Sequence, residues 1–198
     1  MGNRWRRTRK SKITAITIML TTKQINRGNA QDEALRRLYE SAFPVQEQIP
    51  YEDLIGLLDK MDIDYTAYYD DDMLVSLTMV LRLPKYNWGW YFAVREPLRG
   101  KGYGQEILSA VLDKYRDVRP FVIDIESPLQ PDAPNPEQRR RRHAFYLRNG
   151  LKDTPTSRTW DGLTFTIMTS SNEQFTQQDY DDIVTALRAV WENMPGEQ

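Results

Sequence analysis

The chain has 198 residues, a formal net charge of −1 and 40% hydrophobic residues, which suffices for one folded domain with a buried core. It contains no cysteine and one histidine, His143, which excludes disulfides, cysteine nucleophiles and thiolate or multi-histidine metal sites. The nearly balanced charge argues against a general polyanion binder. The absence of cysteine fits a reducing cytoplasm, where we expect the protein to reside.

The N-terminal residues 1–12 are rich in arginine and lysine and predict a flexible basic arm. In residues 13–21, Ile16, Ile18 and Leu20 fall at alternate positions, which is the period of a β-strand rather than the continuous apolar run of a signal peptide. No window approaches a membrane span, so we expect no membrane contact. The arm is interpreted as a solvated tail, with contact to nucleic acid or an acidic partner as the alternative.

The next part of the chain predicts two helices and then three strands in succession. A helix at about 31–42 and a short helix from Tyr51 flank a loop that Pro44 and Pro50 bracket. Two β-rich runs joined by aspartates, and a third run at 88–94, follow without an intervening helix. This succession indicates an antiparallel meander.

The second half of the chain alternates helices and strands. An apolar stripe between Ile107 and Tyr115 predicts a helix, and the apolar run at 121–126 predicts a central strand. Asn135 suits the N-cap of the next helix, and Gly150 suits its C-terminal end. The remaining predicted elements are strands at about 157–161 and 163–169 and a final amphipathic helix at about 176–192. We expect residues 170–198 to form a helical extension that packs on the domain or on a second copy in a homodimer.

Residues 99–105, with the sequence RGKGYGQ, place three glycines at alternate positions between a strand and a helix. Glycines at this place expose backbone N–H groups, and a helix N-terminus adds positive potential, so the segment is suited to bind a pyrophosphate. The spacing differs from the GxxxxGK[S/T] of a Walker A loop and from the GxGxxG of a dinucleotide fingerprint. Asp124 lies about twenty residues further on, as in that fingerprint, but the preceding meander argues against a Rossmann fold.

Two segments resemble motifs of the GNAT superfamily of N-acetyltransferases. VREPLRGKGYGQEIL resembles its acetyl-CoA-binding signature Q/R-x-x-G-x-G/A, which Arg99, Gly102 and Gly104 match. RRHAFYLRNGL resembles a later motif in which a tyrosine, here Tyr146, stands four residues before a glycine. The resemblance covers about residues 13–169. It implies an α/β fold of the α+β type, with a mixed, mostly antiparallel sheet of six or seven strands flanked by helices, and the final helix as an addition.

The resemblance also implies where acetyl-CoA binds. The strand before the glycines would present backbone groups to the pantetheine arm and would be splayed from the strand at 121–126, while the glycines would hold the pyrophosphate. No metal is implied. The implied cofactor-binding residues are Phe92, Ala93, Val94, Arg99, Gly100, Lys101, Gly102, Tyr103, Gly104 and Gln105.

Acetyl transfer requires a neutral amine, a donor for the oxyanion and a proton for the departing thiolate. The motif predicts that Tyr146 supplies this proton. Glu126, at the end of a strand, is the first candidate general base. Glu47, in the loop between the first two helices, is the second and is also predicted to bind the substrate. The sequence departs from the family pattern at Arg139, where an asparagine is common, and this puts the contact of that residue with the pantetheine arm in question.

The function implied by the resemblance is transfer of the acetyl group of acetyl-CoA to a primary amine, by direct attack in a ternary complex. Two alternatives stay open: a non-catalytic CoA-binding regulatory module, and a nucleic-acid-binding protein that uses its arginine-rich segments. Polyamines, aminoglycosides, amino acids and protein amino groups are all open as acceptors, because this family builds its acceptor pocket from variable loops.

Overall fold

A seven-stranded mixed sheet, in the order β1-β2-β3-β4-β5-β7-β6, forms the centre of the described chain. The computed structural model describes residues 20–160 and 162–192. The strands are β1 (Thr21–Ile25), β2 (Ile63–Asp70), β3 (Met73–Arg82), β4 (Asn87–Val94), β5 (Phe121–Glu126), β6 (Lys152–Trp160) and β7 (Leu163–Thr169). The helices are α1 (Glu33–Ala42), α2 (Tyr51–Leu57), α3 (Tyr103–Tyr115), α4 (Pro136–Arg148) and α5 (Gln177–Glu192). The predicted fold class is confirmed.

The strands β2, β3 and β4 form the predicted antiparallel meander. Asp71 takes a positive φ of 50° in the tight turn between β2 and β3, a conformation that aspartate tolerates better than most residues. All the remaining strand pairs are antiparallel except β4 with β5. The parallel pair is what the α3 crossover between β4 and β5 produces.

Helices cover both faces of the sheet. On one face, α1 and α2 bury Leu35, Tyr39 and Leu54 against β2, β3 and β4. On the other face, α3 and α4 pack against β3, β4 and β5, with Ile107 and Tyr146 among the buried side chains. The helix α5 packs on β4, β5 and β7 in a third cluster, through side chains that include Tyr180 and Ile183.

The strands β4 and β5 pair only at one end. Hydrogen-bonded register covers Asn87–Gly89 opposite Phe121–Ile123, and beyond it the two strands separate. A register shift between Met79 and Val80 leaves Trp90 as an extra residue in β4, which bends the strand where the separation begins. The splay that the family resemblance implies is therefore present, and it opens the sheet toward the C-terminal ends of β4 and β5.

Two predicted strand boundaries are wrong. The first described strand, β1, ends at Ile25 rather than at residue 21, because Thr21–Ile25 pairs with Tyr69–Tyr65 as a largely exposed edge. Residues 1–19, which include the predicted basic arm, lie outside the described residues. The strand β6 begins at Lys152 rather than near 157, with a register shift around Pro155. An edge strand tolerates such a proline, because one of its sides needs no backbone donor.

None of the helices in residues 20–160 and 162–192 is long and apolar enough to cross a membrane. The same residues hold no group of three or more histidine or acidic side chains that could bind a metal ion.

Candidate active site

The glycine segment forms a turn that leads into α3 with backbone conformations only glycine adopts easily. Gly100 has a φ of +78°, and Gly102, the N-cap of α3, has a φ of +96°. Within the described part of the chain, no group accepts a hydrogen bond from the N–H of Gly102, Tyr103 or Gly104. These N–H groups lie at the positive end of the helix dipole, so the turn is suited to bind an anion.

Gly104 differs from Gly100 and Gly102 because it does not take a positive φ, and the protein also leaves room for a side chain there. A Cβ atom at this position would lie 3.6 Å from Val94 Cγ2 and 3.7 Å from Phe145 Cζ, which are ordinary van der Waals distances. The fold alone therefore does not require glycine at position 104. A ligand that approaches the backbone closely would require it.

The strand β4 directs alternate backbone groups into the opening beside β5. Arg95 N–H donates to Val75 O on β3 at 2.9 Å. Because the direction of these groups alternates along a strand, Ala93 also faces β3, whereas Phe92 and Val94 face the opening. Ala93 O accepts from Ser76 Oγ at 2.6 Å, and Val94 O accepts from Arg99 Nε at 3.2 Å. Phe92 and Val94 are thus the two predicted strand residues that offer N–H groups to a ligand in the opening.

A cleft of about 1390 Å³ joins the glycine turn, the opening between β4 and β5, and the loop between α1 and α2. Two predicted residues, Lys101 and Tyr103, do not line it. The Tyr103 hydroxyl instead donates to Asp70 Oδ2 and so ties the start of α3 to the end of β2. The predicted residues that line the cleft are Glu47, Phe92, Ala93, Val94, Arg99, Gly100, Gly102, Gly104, Gln105, Glu126 and Tyr146.

Tyr146 lies on α4, with its side chain buried at the wall of the cleft. The end of α4 is fixed by Gly150 at a φ of +91°, where Leu151 N–H donates to Tyr146 O at 3.2 Å. Burial raises the pKa of the Tyr146 phenol to about 12; Arg142 opposes this rise and Asp124 adds to it. The phenol is therefore protonated at neutral pH and available as a donor.

Glu126 is buried and held by two arginines of α4. Its Oε1 accepts from Arg139 Nη2 at 2.5 Å, and its Oε2 accepts from Arg142 Nη1 at 3.1 Å. Both oxygens are turned toward α4 and paired with cations, which is unfavourable for the role of general base that the sequence predicted for Glu126. Asn135, predicted to cap α4, accepts from Arg139 Nε at 2.8 Å and makes no capping bond to the backbone.

Glu47 lies in a 3₁₀ turn, Val45–Glu47, at the opposite wall of the cleft. The Tyr91 hydroxyl donates to Glu47 O at 2.9 Å and fixes this turn to β4. Burial raises the pKa of the Glu47 carboxyl, and the charge of Glu126 raises it further, while Arg142 lowers it. A half-buried carboxyl with a raised pKa accepts a proton more readily than an ordinary carboxylate does.

The sequence model described as the acetyltransferase (GNAT) family matches residues 32–150. The chain belongs to this family.

Solved structures share the fold of this GNAT protein at low sequence identity. A putative GNAT-family acetyltransferase from Bacteroides thetaiotaomicron is 21% identical, with a TM-score of 0.69 over 88% of this chain and 99% of that chain. The ribosomal-protein-S18-alanine N-acetyltransferase of Escherichia coli is 15% identical, with a TM-score of 0.59 over 80% and 97%. A GNAT acetyltransferase of Elizabethkingia anophelis with acetyl-CoA bound is 14% identical, with a TM-score of 0.55 over 76% and 96%. A search of curated proteins finds no match.

The GNAT site also contains residues that the sequence analysis did not assign to it. Asp124 lines the cleft from β5, where Arg158 Nε lies 3.4 Å from its Oδ2. Burial raises the pKa of the Asp124 carboxyl, and Arg158 opposes the rise. The sequence contains a signal for Asp124, because it is the one charged residue in the apolar run at 121–125. A charged side chain is seldom buried in a central strand unless it has a partner or a function. Arg142 lines the cleft from α4, and the motif RRHAFYLRNGL that contains it assigned it no role.

Proposed function

We propose that this GNAT protein transfers the acetyl group of acetyl-CoA to a primary amine in a ternary complex. The observation that carries the proposal is the glycine turn, in which the N–H groups of Gly102, Tyr103 and Gly104 have no acceptor among the described residues. Gly102 and Gly104 line the cleft that contains the opening between β4 and β5. A pyrophosphate is an anion of the charge and size that such a turn at a helix N-terminus binds. The acetyl-CoA complex of the Elizabethkingia anophelis protein, which shares the fold, supports the choice of ligand.

The opening between β4 and β5 is proposed to hold the pantetheine arm and the thioester. Phe92 N–H and Val94 N–H face the opening and can donate to the amide oxygens of the arm or to the thioester carbonyl. A donor aimed at the carbonyl oxygen stabilises the negative charge that develops when the amine attacks. Gly104 leaves the wall beside Val94 and Phe145 free of a side chain, so the backbone can approach the ligand.

Two side chains receive roles in the transfer. Tyr146 donates its proton to the departing CoA sulfur, because its phenol is protonated and lines the cleft. Glu47 binds the acceptor amine and takes up its proton, directly or through water, because its carboxyl has a raised pKa and faces the cleft. Glu47 is a better proton acceptor than Glu126, whose two oxygens are engaged by arginines.

Calorimetric titration of the protein with acetyl-CoA, with ATP and NAD as control ligands, tests the binding part of the proposal. We expect acetyl-CoA to bind most tightly, and Gly102→Glu to abolish binding, since it places a side chain at a φ of +96° and a negative charge in the turn. Ser109→Glu adds the same charge on the exposed surface of α3 and is the matched control. Equal binding of all three ligands, or an unchanged Gly102→Glu variant, would contradict the proposal.

The catalytic part is tested by the release of CoA in the presence of a panel of amines. Tyr146→Phe should lower kcat by about 10²-fold or more, as expected for a general acid, and leave acetyl-CoA affinity close to that of the wild type. Acetyl-CoA binding without turnover on any amine would favour the non-catalytic CoA-binding module. Unchanged turnover in Tyr146→Phe would remove Tyr146 from the mechanism.

A further inference from the structure

The helix α4 carries four consecutive arginines, and the structure gives them different environments. Arg139 is completely buried, Arg142 is half-buried and lines the cleft, Arg141 is exposed at the edge of the cleft, and Arg140 is exposed away from it. Arg141 pairs with Glu137 one turn earlier on the surface, at 3.5 Å. Successive residues of a helix point in directions about 100° apart, so the run divides into an inner pair and an outer pair.

The inner pair is held by a buried polar network. The Arg139 guanidinium donates to Asn135 Oδ1 at 2.8 Å, Gln130 Oε1 at 2.9 Å and Glu126 Oε1 at 2.5 Å. Gln130 Oε1 also accepts from Thr164 N–H at 3.0 Å, which ties the network to β7. These three hydrogen bonds fix the orientation of the buried Arg139 guanidinium, and with it that of the Glu126 carboxylate.

The fixed carboxylate of Glu126 in turn holds the guanidinium of Arg142 in place. The carboxylate carries one negative charge and is shared by two guanidinium groups, so the three side chains together carry a net charge of +1. The side chain of Arg142 is 35% exposed and lies at the wall of the cleft, whereas Arg139 is closed off from it. The excess positive charge is therefore presented to the cleft through Arg142.

Arg142 lies one helical turn before Tyr146. Residues four apart on a helix are neighbours on the same face, so the guanidinium and the phenol line the same wall. Asp124, on the facing strand β5, is the acidic group that acts on the same phenol. The positive charge of Arg142 lowers the pKa of the Tyr146 phenol, whereas the negative charge of Asp124 raises it.

We propose that Arg142, fixed by Glu126 and Arg139, is a positioning residue that stabilises Tyr146 as it gives up its proton during acetyl transfer. The inference rests on the proposed function. In the step concerned, the amine nitrogen forms a bond to the thioester carbon, and the C–S bond breaks with its electron pair going to sulfur. The sulfur takes the Tyr146 proton, which leaves a phenolate beside the Arg142 cation. The phenolate then recovers the proton that the attacking amine loses, carried by water or by Glu47.

A double-mutant cycle between Arg142 and Tyr146 tests the inference. We expect Arg142→Gln to lower kcat by about tenfold, part of the roughly 10²–10⁴-fold that a positioned general acid contributes. The KM for acetyl-CoA should stay within about twofold, since the interaction is made in the transition state. Arg142→Lys should recover most of kcat. Arg140→Gln removes the same charge from the exposed side of α4 and should match the wild type.

The decisive measurement is the double variant. If Arg142 acts through the phenol, Arg142→Gln should not lower kcat further once Tyr146 is phenylalanine, because no phenolate then forms. Losses that multiply, or a loss confined to KM, would overturn the inference while turnover of the wild type leaves the proposed function intact. If the wild type releases no CoA with any amine, the proposed function itself fails. Should Arg142→Gln not fold, Arg142→Met in the wild-type and Tyr146→Phe backgrounds provides the same cycle.

Discussion

The point at which β4 and β5 separate depends on the absence of a side chain at Gly89. A Cβ atom built there would lie 2.5 Å from Phe121 Cζ and 2.7 Å from Ile123 Cγ2, both on β5. Both contacts are far shorter than van der Waals distances, and both partners are buried. Gly89→Ala therefore forces the strands apart at the one place where they pair.

The expected cost is that of overpacking a well-filled core, about 1–3 kcal/mol of unfolding free energy. For a protein of this size, each kcal/mol lowers Tm by about 2–4 °C, so Gly89→Ala should melt roughly 2–12 °C below the wild type. The substitution should also lower kcat/KM for acetyl-CoA, because the opening that would receive the thioester begins at this residue.

Gly56→Ala provides a control of opposite sign. Gly56 lies in α2, and a Cβ atom there would have no other atom within 4 Å. Alanine should therefore stabilise the protein by about 0.4–1 kcal/mol through its better helix propensity and a less flexible unfolded chain. Thermal melting followed by circular dichroism measures both variants. A Gly89→Ala variant that melts at or above the wild-type temperature would refute the reasoning.

Three further predictions concern the site. Gly100→Ala should destabilise the protein by about 1–2 kcal/mol, because residue 100 has a positive φ. Gly104→Ala should melt like the wild type yet bind acetyl-CoA more weakly, and calorimetry that finds equal affinity for the Gly104→Ala variant and the wild type would contradict this prediction. Arg139→Met should cost about 3 kcal/mol in urea unfolding, since it leaves Glu126 with one of its two cationic partners, and a change below about 0.5 kcal/mol would be inconsistent with a buried ion pair. Because burial raises the pKa of Glu47, the folded state holds its proton longer than the unfolded state, and stability is lost as pH rises through the raised pKa. Glu47→Gln should therefore raise Tm relative to the wild type more at pH 7 than at pH 4, and an equal difference at both pH values would exclude this linkage.

Much of the fold could be predicted from the sequence because local patterns determine its elements. Period-two and period-3.6 hydrophobic patterns correctly indicated the meander of β2, β3 and β4 and the helices α1, α3 and α5. Gly150 marked the end of α4, since the positive φ at that position strongly favours glycine. The glycines at 100 and 102 indicated an anion-binding turn for the same local reason.

The errors at strand ends share one cause. The alternating apolar residues predicted a strand that ends at residue 21, but β1 continues to Ile25 because it pairs with β2, and pairing is a property of two segments that lie far apart in sequence. The early start of β6 likewise depends on β7, which accepts the irregular register around Pro155. No pattern within either segment contains that information.

The candidate site divides in the same way. The glycine turn, and the position of Tyr146 on a helix whose end Gly150 marks, could be predicted from the sequence because both are local conformational features. The orientation of Glu126 toward Arg139 and Arg142, and the placement of Glu47 and Asp124 in one cleft, depend on contacts between elements distant in sequence. A charged side chain is placed by the partners that compensate its burial, and in a folded chain those partners come from other elements.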